Sequence, residues 1–212
     1  MSHDDSAICP RLPDGILLEG IVTTLNDDGR PHIAPMGPIV DLGFTRLLLR
    51  PYCTSVTYQN LKRTREGVLH VTDDVELFAR AAVGQLLELP KLVPAKAVRG
   101  VILEEACRWY AFRVNSIDDR DERTEIVAET IDQGRLRDFF GFNRAKHAVI
   151  EAAILVTRTE FLDAGYIQKE FDRLAGLVAK TGGYQEHRAF DFLKQYVRDQ
   201  FARRVAAETA KP

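Results

Sequence analysis

Residues 15–26 crowd apolar and β-branched side chains together (Ile16, Leu17, Leu18, Ile21, Val22, Thr23, Thr24), which predicts a strand. Asn26-Asp27-Asp28-Gly29 then signals a tight turn, because Gly29 takes φ > 0 at no steric cost. Residues 31–36 are the hairpin partner, and 39–42 and 45–50 are short strands parted by Gly43. A helix is predicted over 57–65, with Ser55 as its cap and Gly67 as its stop. Residues 68–72 read as a strand, after which Asp73 or Asp74 caps a short helix reaching Phe78 and Ala82. Pro90 and Pro94 make 86–96 a surface loop. Three further strands follow over 98–104, 109–117 and 124–131. The second alternates cleanly, Tyr110, Phe112 and Val114 against Ala111, Arg113 and Asn115.

The pattern changes after Gly141. Asn143 caps a predicted helix running to about residue 159, with Ala148, Ile150, Ile154 and Leu155 as its apolar positions; Gly165 breaks it. A second helix carries Ile167, Phe171, Leu174 and Val178 at helical spacing and ends at Gly182-Gly183. A third carries Phe190, Leu193, Val197 and Phe201. Many short strands with two small helices fit a closed or partly closed barrel better than a βαβ sheet. The expected organisation is a barrel over 1–141 and a helical extension over 142–212, packed on the barrel.

Composition narrows the function classes. Hydrophobic residues make up 45% of 212, enough for a real core, and the formal charge is −2. Neither favours nucleic acid or an anionic membrane as the main partner. No apolar run approaches a membrane span, and the polar start Met1-Ser2-His3-Asp4-Asp5 is no secretory signal, so a cytoplasmic protein is expected. Cys9, Cys53 and Cys107 are widely spaced and suggest reduced thiols, with no zinc spacing. There is no GxGxxG, GxxxxGK[ST], HExxH or GxSxG motif.

Three stretches carry candidate chemistry. Ala34, Pro35 and Gly37 are poor strand formers at a strand end, a composition that lets something flat or bulky approach the backbone. Arg50, Ser55 and Thr57 precede or open a helix, where hydroxyls and free N–H groups converge on an anion. The alternative is that both hydroxyls only cap and Arg50 is a surface charge. Asn143, Arg144 and His147 open the first tail helix where its dipole is positive; a capped, solvated turn is the alternative there. Asp73 and Asp74 read as helix caps rather than a metal pair.

The segment 24–37, followed by Arg50-Pro51-Tyr52-Cys53-Thr54-Ser55-Val56-Thr57-Tyr58-Gln59-Asn60-Leu61 and Leu69-His70-Val71-Thr72-Asp73-Asp74, resembles the FMN-binding split β-barrel superfamily. Within it, the chain is similar to a branch from methanogens and other one-carbon-metabolising microbes, over roughly its whole length. That resemblance implies a mainly β fold with α, a split barrel of the flavin-reductase or pyridoxamine-phosphate-oxidase kind with a C-terminal helical extension. It implies non-covalent FMN as cofactor, held at the interface of a homodimer, and an oxidoreductase acting on an unidentified small molecule. A flavin carrier without turnover and a flavin-free structural dimer are the alternatives. The implied phosphate contacts are Arg50, Ser55 and Thr57, with Asn60 on ribityl or phosphate. His32, Ala34, Pro35, Met36 and Gly37 are expected along the isoalloxazine, Met36 as a soft contact and His32 as a hydrogen-bonding partner or proton donor. Asn143, Arg144 and His147 are expected to complete the flavin or substrate pocket, His147 being the second proton-donor candidate. His70 stands where related proteins often show Asn.

Overall fold

The computed structural model describes residues 12, 14–86 and 88–209, excepting the side chains of 205 and 207–209. The expectations for Met1–Asp5 and Cys9 lie outside the described residues. The chain divides into two compact units, 1–72 with 89–138 and 73–88 with 139–212.

The first unit is an eight-stranded antiparallel sheet in the order β1-β4-β5-β10-β9-β6-β2-β3. Its strands are β1 (Ile16–Leu17), β2 (Gly20–Leu25), β3 (Pro31–Met36), β4 (Ile39–Val40), β5 (Arg46–Leu49), β6 (Glu66–Val71), β9 (Arg108–Asp118) and β10 (Glu125–Arg135). This is the mainly β half of a split barrel, as the sequence predicts. Two strands, β7 (Leu92–Pro94) and β8 (Val101–Leu103), pair separately. Part of the expected loop over 86–96 is therefore a strand, because Val93 finds a partner in Ile102. The strand expected over 15–26 is broken at Leu18, whose N–H turns to the carbonyl of Pro38.

The β2–β3 hairpin closes as its turn residues dictate. Gly29 sits at φ 79°, and Asn26 and Arg30 are joined by a 2.9 Å main-chain bond. A Cβ on Gly20 would stand 2.8 Å from the carbonyl of His70, so β2 approaches β6 this closely only with glycine there. One face of the sheet packs Val22, Leu47, Leu49, Leu69, Phe112 and Ile126 into the main core. Helix α1 (Val56–Thr64) adds Tyr58 and Leu61 to it. Ser55 caps α1 through its side chain, which accepts the Tyr58 N–H at 3.2 Å. Its stop differs from the expectation. Arg65, not Gly67, takes the left-handed turn at φ 58°. Gly67 belongs to β6, where a Cβ would meet the Phe112 ring at 2.6 Å.

The second unit contains α2 (Val75–Ala82), α3 (Arg144–Val156), α4 (Ala164–Thr181) and α5 (Tyr184–Thr209). Asp74 caps α2 and Asn143 caps α3, both as predicted. α2 packs on α3 and α5. The buried face of α4 is the predicted Ile167, Phe171, Leu174 and Val178. That of α3 is Ala145, Ala148, Val149, Ala152, Ala153 and Val156, leaving Ile150, Ile154 and Leu155 only half-buried. Small side chains let α3 sit close to its neighbours, and size misled the sequence reading. Gly165 lies inside α4, after the cap Asp163, rather than between helices.

Candidate functional site

β3 is the last strand of the sheet, so among the described residues one edge is unpaired by β-structure. That position tolerates Pro31 and Pro35, which have no N–H to donate to a ladder. His32, Ala34 and Met36 alternate onto one face, opposite Thr24, Val22 and Gly20 of β2. Met36 is half-buried and packs against the core cluster. His32 is half-buried as well, and burial holds its pKa below the ordinary imidazole value. It is therefore neutral near pH 7, with a donor and an acceptor to offer.

Helix α1 packs on β2 and β3. Its Asn60 is buried, and one amide nitrogen donates to Thr24 Oγ1 and to Asn26 Oδ1, both at 3.0 Å. Its carbonyl accepts from Arg63 at 3.2 Å. Since Thr24 faces His32 across the ladder, this network ties the helix to the hairpin that carries the candidate ring contacts. Thr57 is buried and Ser55 half-buried in the first turn of the same helix. Arg50 directly follows β5, with an exposed side chain.

One residue at this end escaped the sequence reading. Tyr52 forms an isolated bridge with Arg123, which lies between β9 and β10. The Arg123 Nε donates to the Arg50 carbonyl at 3.3 Å, and its guanidinium stands 5.9 Å from the Tyr52 ring centre. Arg123 is thereby fastened to the loop that leads into α1. No local pattern marks Arg123, because its place depends on a pairing across 71 positions of chain between it and Tyr52.

His70 is fully buried and satisfied. Its Nδ1–H donates to the Ile21 carbonyl and its Nε2 accepts the Leu103 N–H, each at 3.1 Å. Burial pushes its pKa down to about 4, so it is a neutral cross-strand link.

Asn143, Arg144 and His147 lie in the second unit. Asn143 Oδ1 accepts the N–H groups of Ala145 and Lys146 at 2.8 and 3.1 Å, and its amide donates to the Thr181 carbonyl at 3.0 Å. Arg144 is exposed, and His147 lies against the Phe142 ring at 6.1 Å between centres. The engaged residue of this turn is Lys146, which the sequence reading passed over. Its Nζ contacts Glu186 at 2.8 Å, the Asp73 carbonyl at 2.8 Å and Gln185 at 3.2 Å. Gln185 in turn donates to Asp74 at 2.9 Å, so the cluster joins the starts of α2, α3 and α5. Asp74 caps α2 through its side chain, whereas the Asp73 carboxylate accepts the main-chain N–H of Phe140 at 2.8 Å. Among the described residues no group of His, Cys, Asp and Glu could hold a metal ion. Nor is any described helix long and apolar enough to cross a membrane.

A half-barrel sheet with an open edge, a capped helix over it and a helical second unit defines a split β-barrel protein with a C-terminal helical extension. The chain belongs to the DUF447 family. The description "Protein of unknown function (DUF447) N-terminal domain" matches residues 18–137, and its C-terminal counterpart matches 143–195. Among solved structures, the chain is similar to the FMN-bound protein MM1853 from Methanosarcina mazei, a DUF447 protein. Identity is 22% and the TM-score 0.73, over 85% of this chain and 94% of that one. Lower similarity extends to an FMN-binding protein from Thermus thermophilus, at 11% identity and TM-score 0.49 over 64% of this chain and 80% of that one. Flavoredoxin of Desulfovibrio vulgaris shows 12% identity and a TM-score of 0.47, over 64% and 75%. No curated protein matches the chain.

Proposed function

We propose that this protein is a flavoprotein that binds FMN non-covalently and serves as an oxidoreductase for a small-molecule substrate. The observation that carries the reading is the loop from Arg50 to Ser55. It runs from the exposed Arg50, through the Tyr52 bridge that brings Arg123 alongside, into the Ser55-capped start of α1, in a family whose MM1853 is FMN-bound. Two guanidinium groups and a helix N-terminus suit a dianionic phosphate. The half-buried Pro35 and the exposed-edge backbone of residues 34–37 suit a flat, mostly apolar ring, so the residues present fit FMN.

In this reading Arg50, Ser55 and Thr57 hold the phosphate, and Arg123 joins them. Asn60 fixes α1 against β2 and lends its remaining capacity to the ribityl chain. Ala34, Pro35, Met36 and Gly37 offer backbone and apolar contacts to the isoalloxazine. His32 donates or accepts a hydrogen bond at the ring or the substrate, its neutral form being ready to do either. Asn143, Arg144 and His147 complete the set on the strength of the family resemblance. When bound, the flavin supplies hydride or electron transfer, and the protein supplies orientation and exclusion of water.

The functional form is a homodimer with the flavin at the subunit interface. The open edge of β3 and the exposed Ile16 and Leu17 on the opposite edge strand support association. The expected setting is the cytoplasm.

Titration of the flavin-free protein with FMN and with FAD, followed by absorbance and fluorescence, tests this. Tight binding of FMN in preference to FAD is expected, with sedimentation at about twice the chain mass. Absence of FMN binding, or equal affinity for FAD, overturns the reading. A flavin that is bound but never reoxidised by small-molecule acceptors makes the protein a carrier instead.

A further inference from the structure

β9 and β10 are the longest strands, and at one end they set two arginines against each other: Arg108 and Arg135 are register partners. The next pair inward is Tyr110 with Gln133. These four residues and Gly134 line a groove of about 330 Å³, within the size range of small-ligand sites.

Like charges directly opposite in a ladder destabilise it unless a counter-charge lies between them. Asp138 supplies one to Arg135 through an ion pair. Arg108 is exposed and makes no ion pair among the described residues. The floor is built and rigid. Tyr110 is 5% exposed and belongs to the main core with Phe112 and Val114. Its ring stacks on Phe44, with centres 4.4 Å apart and planes 10° from parallel.

We infer that this groove binds a small organic anion, with a carboxylate or phosphate head between Arg108 and Arg135 and an apolar body toward Tyr110. A guanidinium pair presents forked donors to such a head, and the Gln133 amide adds a neutral donor and acceptor. The site is distinct from the Arg50 end of the sheet. Leu49 pairs with Ile126, and from there β10 runs on to Arg135, roughly 30 Å along the strand. The inference does not depend on the flavin reading, since it stands on the cross-strand pair and the groove alone.

Calorimetric titration of the full-length flavin-free protein with benzoate, and separately with inorganic phosphate, tests it. Saturable binding of at least one of the two is expected, and the anion that binds identifies the head group. Arg108→Gln is expected to weaken that binding about tenfold, while Arg173→Gln on the surface of α4 leaves it unchanged. Arg108→Gln is also expected to keep the melting temperature of the anion-free protein, since it removes a repulsion, and to lose the rise that the anion causes. Failure of both anions to bind, or equal binding by Arg108→Gln, overturns the proposal. So does loss of anion binding on saturation with FMN, which would make the groove part of a flavin site. A protein that binds benzoate but no flavin supports the groove and sinks the flavin reading, so the two failures are distinguishable.

Discussion

His70 on β6 accepts the main-chain N–H of Leu103 on β8 at 3.1 Å, while its other ring nitrogen donates to Ile21 on β2. One neutral imidazole therefore joins three strands, two of which belong to the main sheet and one to the separate pair. Such a buried link is worth most when it stays uncharged.

The consequence is a pH dependence. The folded pKa is about 4, against 6.5 for the ordinary imidazole. On acidification the unfolded chain takes up the proton first. Stability from this group is complete above pH 6.5, falls between 6.5 and about 4, and falls no further below that. The total is about 3 kcal/mol. Urea unfolding at pH 7.5 and pH 4.5 should show this loss in the native protein, and His70→Gln should flatten it. Equal slopes in the two proteins would remove His70 as the cause. Glu66, held low by Arg99 and Arg113 against its burial, contributes only below its ordinary value of 4.5, outside most of this window.

Asn60→Ala is expected to destabilise the flavin-free protein by about 1–3 kcal/mol. The substitution leaves Thr24 and Asn26 without the amide that joins α1 to β2. Thermal or chemical unfolding without flavin checks it; a loss seen only with FMN present would make Asn60 a ligand contact alone.

Arg50→Ala is expected to behave in the opposite way. Its side chain is exposed directly after β5, so folding stability should stay within about 0.5 kcal/mol. FMN affinity should fall about ten- to a hundredfold, the worth of one charge-assisted phosphate contact. Arg123→Ala should weaken FMN in the same direction. Unchanged affinity in both variants would place the phosphate elsewhere.

At the start of α3 two neighbouring cations should separate cleanly. Lys146 is paired with the nearly buried Glu186, and its loss leaves a carboxylate uncompensated. Lys146→Ala is expected to cost about 3 kcal/mol in unfolding experiments. Arg144→Ala should leave the melting temperature unchanged and lower FMN affinity under the proposed site. If Arg144→Ala changes neither, Arg144 serves only as a solvated charge.

Local chemistry by itself determined a large part of this protein. Gly29 in its turn, the caps Ser55, Asp74 and Asn143, and the stripe Ile167-Phe171-Leu174-Val178 are all legible from near neighbours, since caps, turns and amphipathic periods act over a few residues. Tertiary structure decided the rest. Arg65 rather than Gly67 ends α1, and Gly67 lies in β6, where Phe112, 45 positions away, fills the space a Cβ would take. Arg123 reaches the Arg50 loop only through the Tyr52 bridge. Lys146 became the hub of the helical unit because the starts of α2, α3 and α5 meet at its ammonium group. Arg108 and Arg135 oppose each other only in the bulged register of β9 and β10. Each of these rests on contacts between residues far apart in the chain, and local propensity carries no record of such partners.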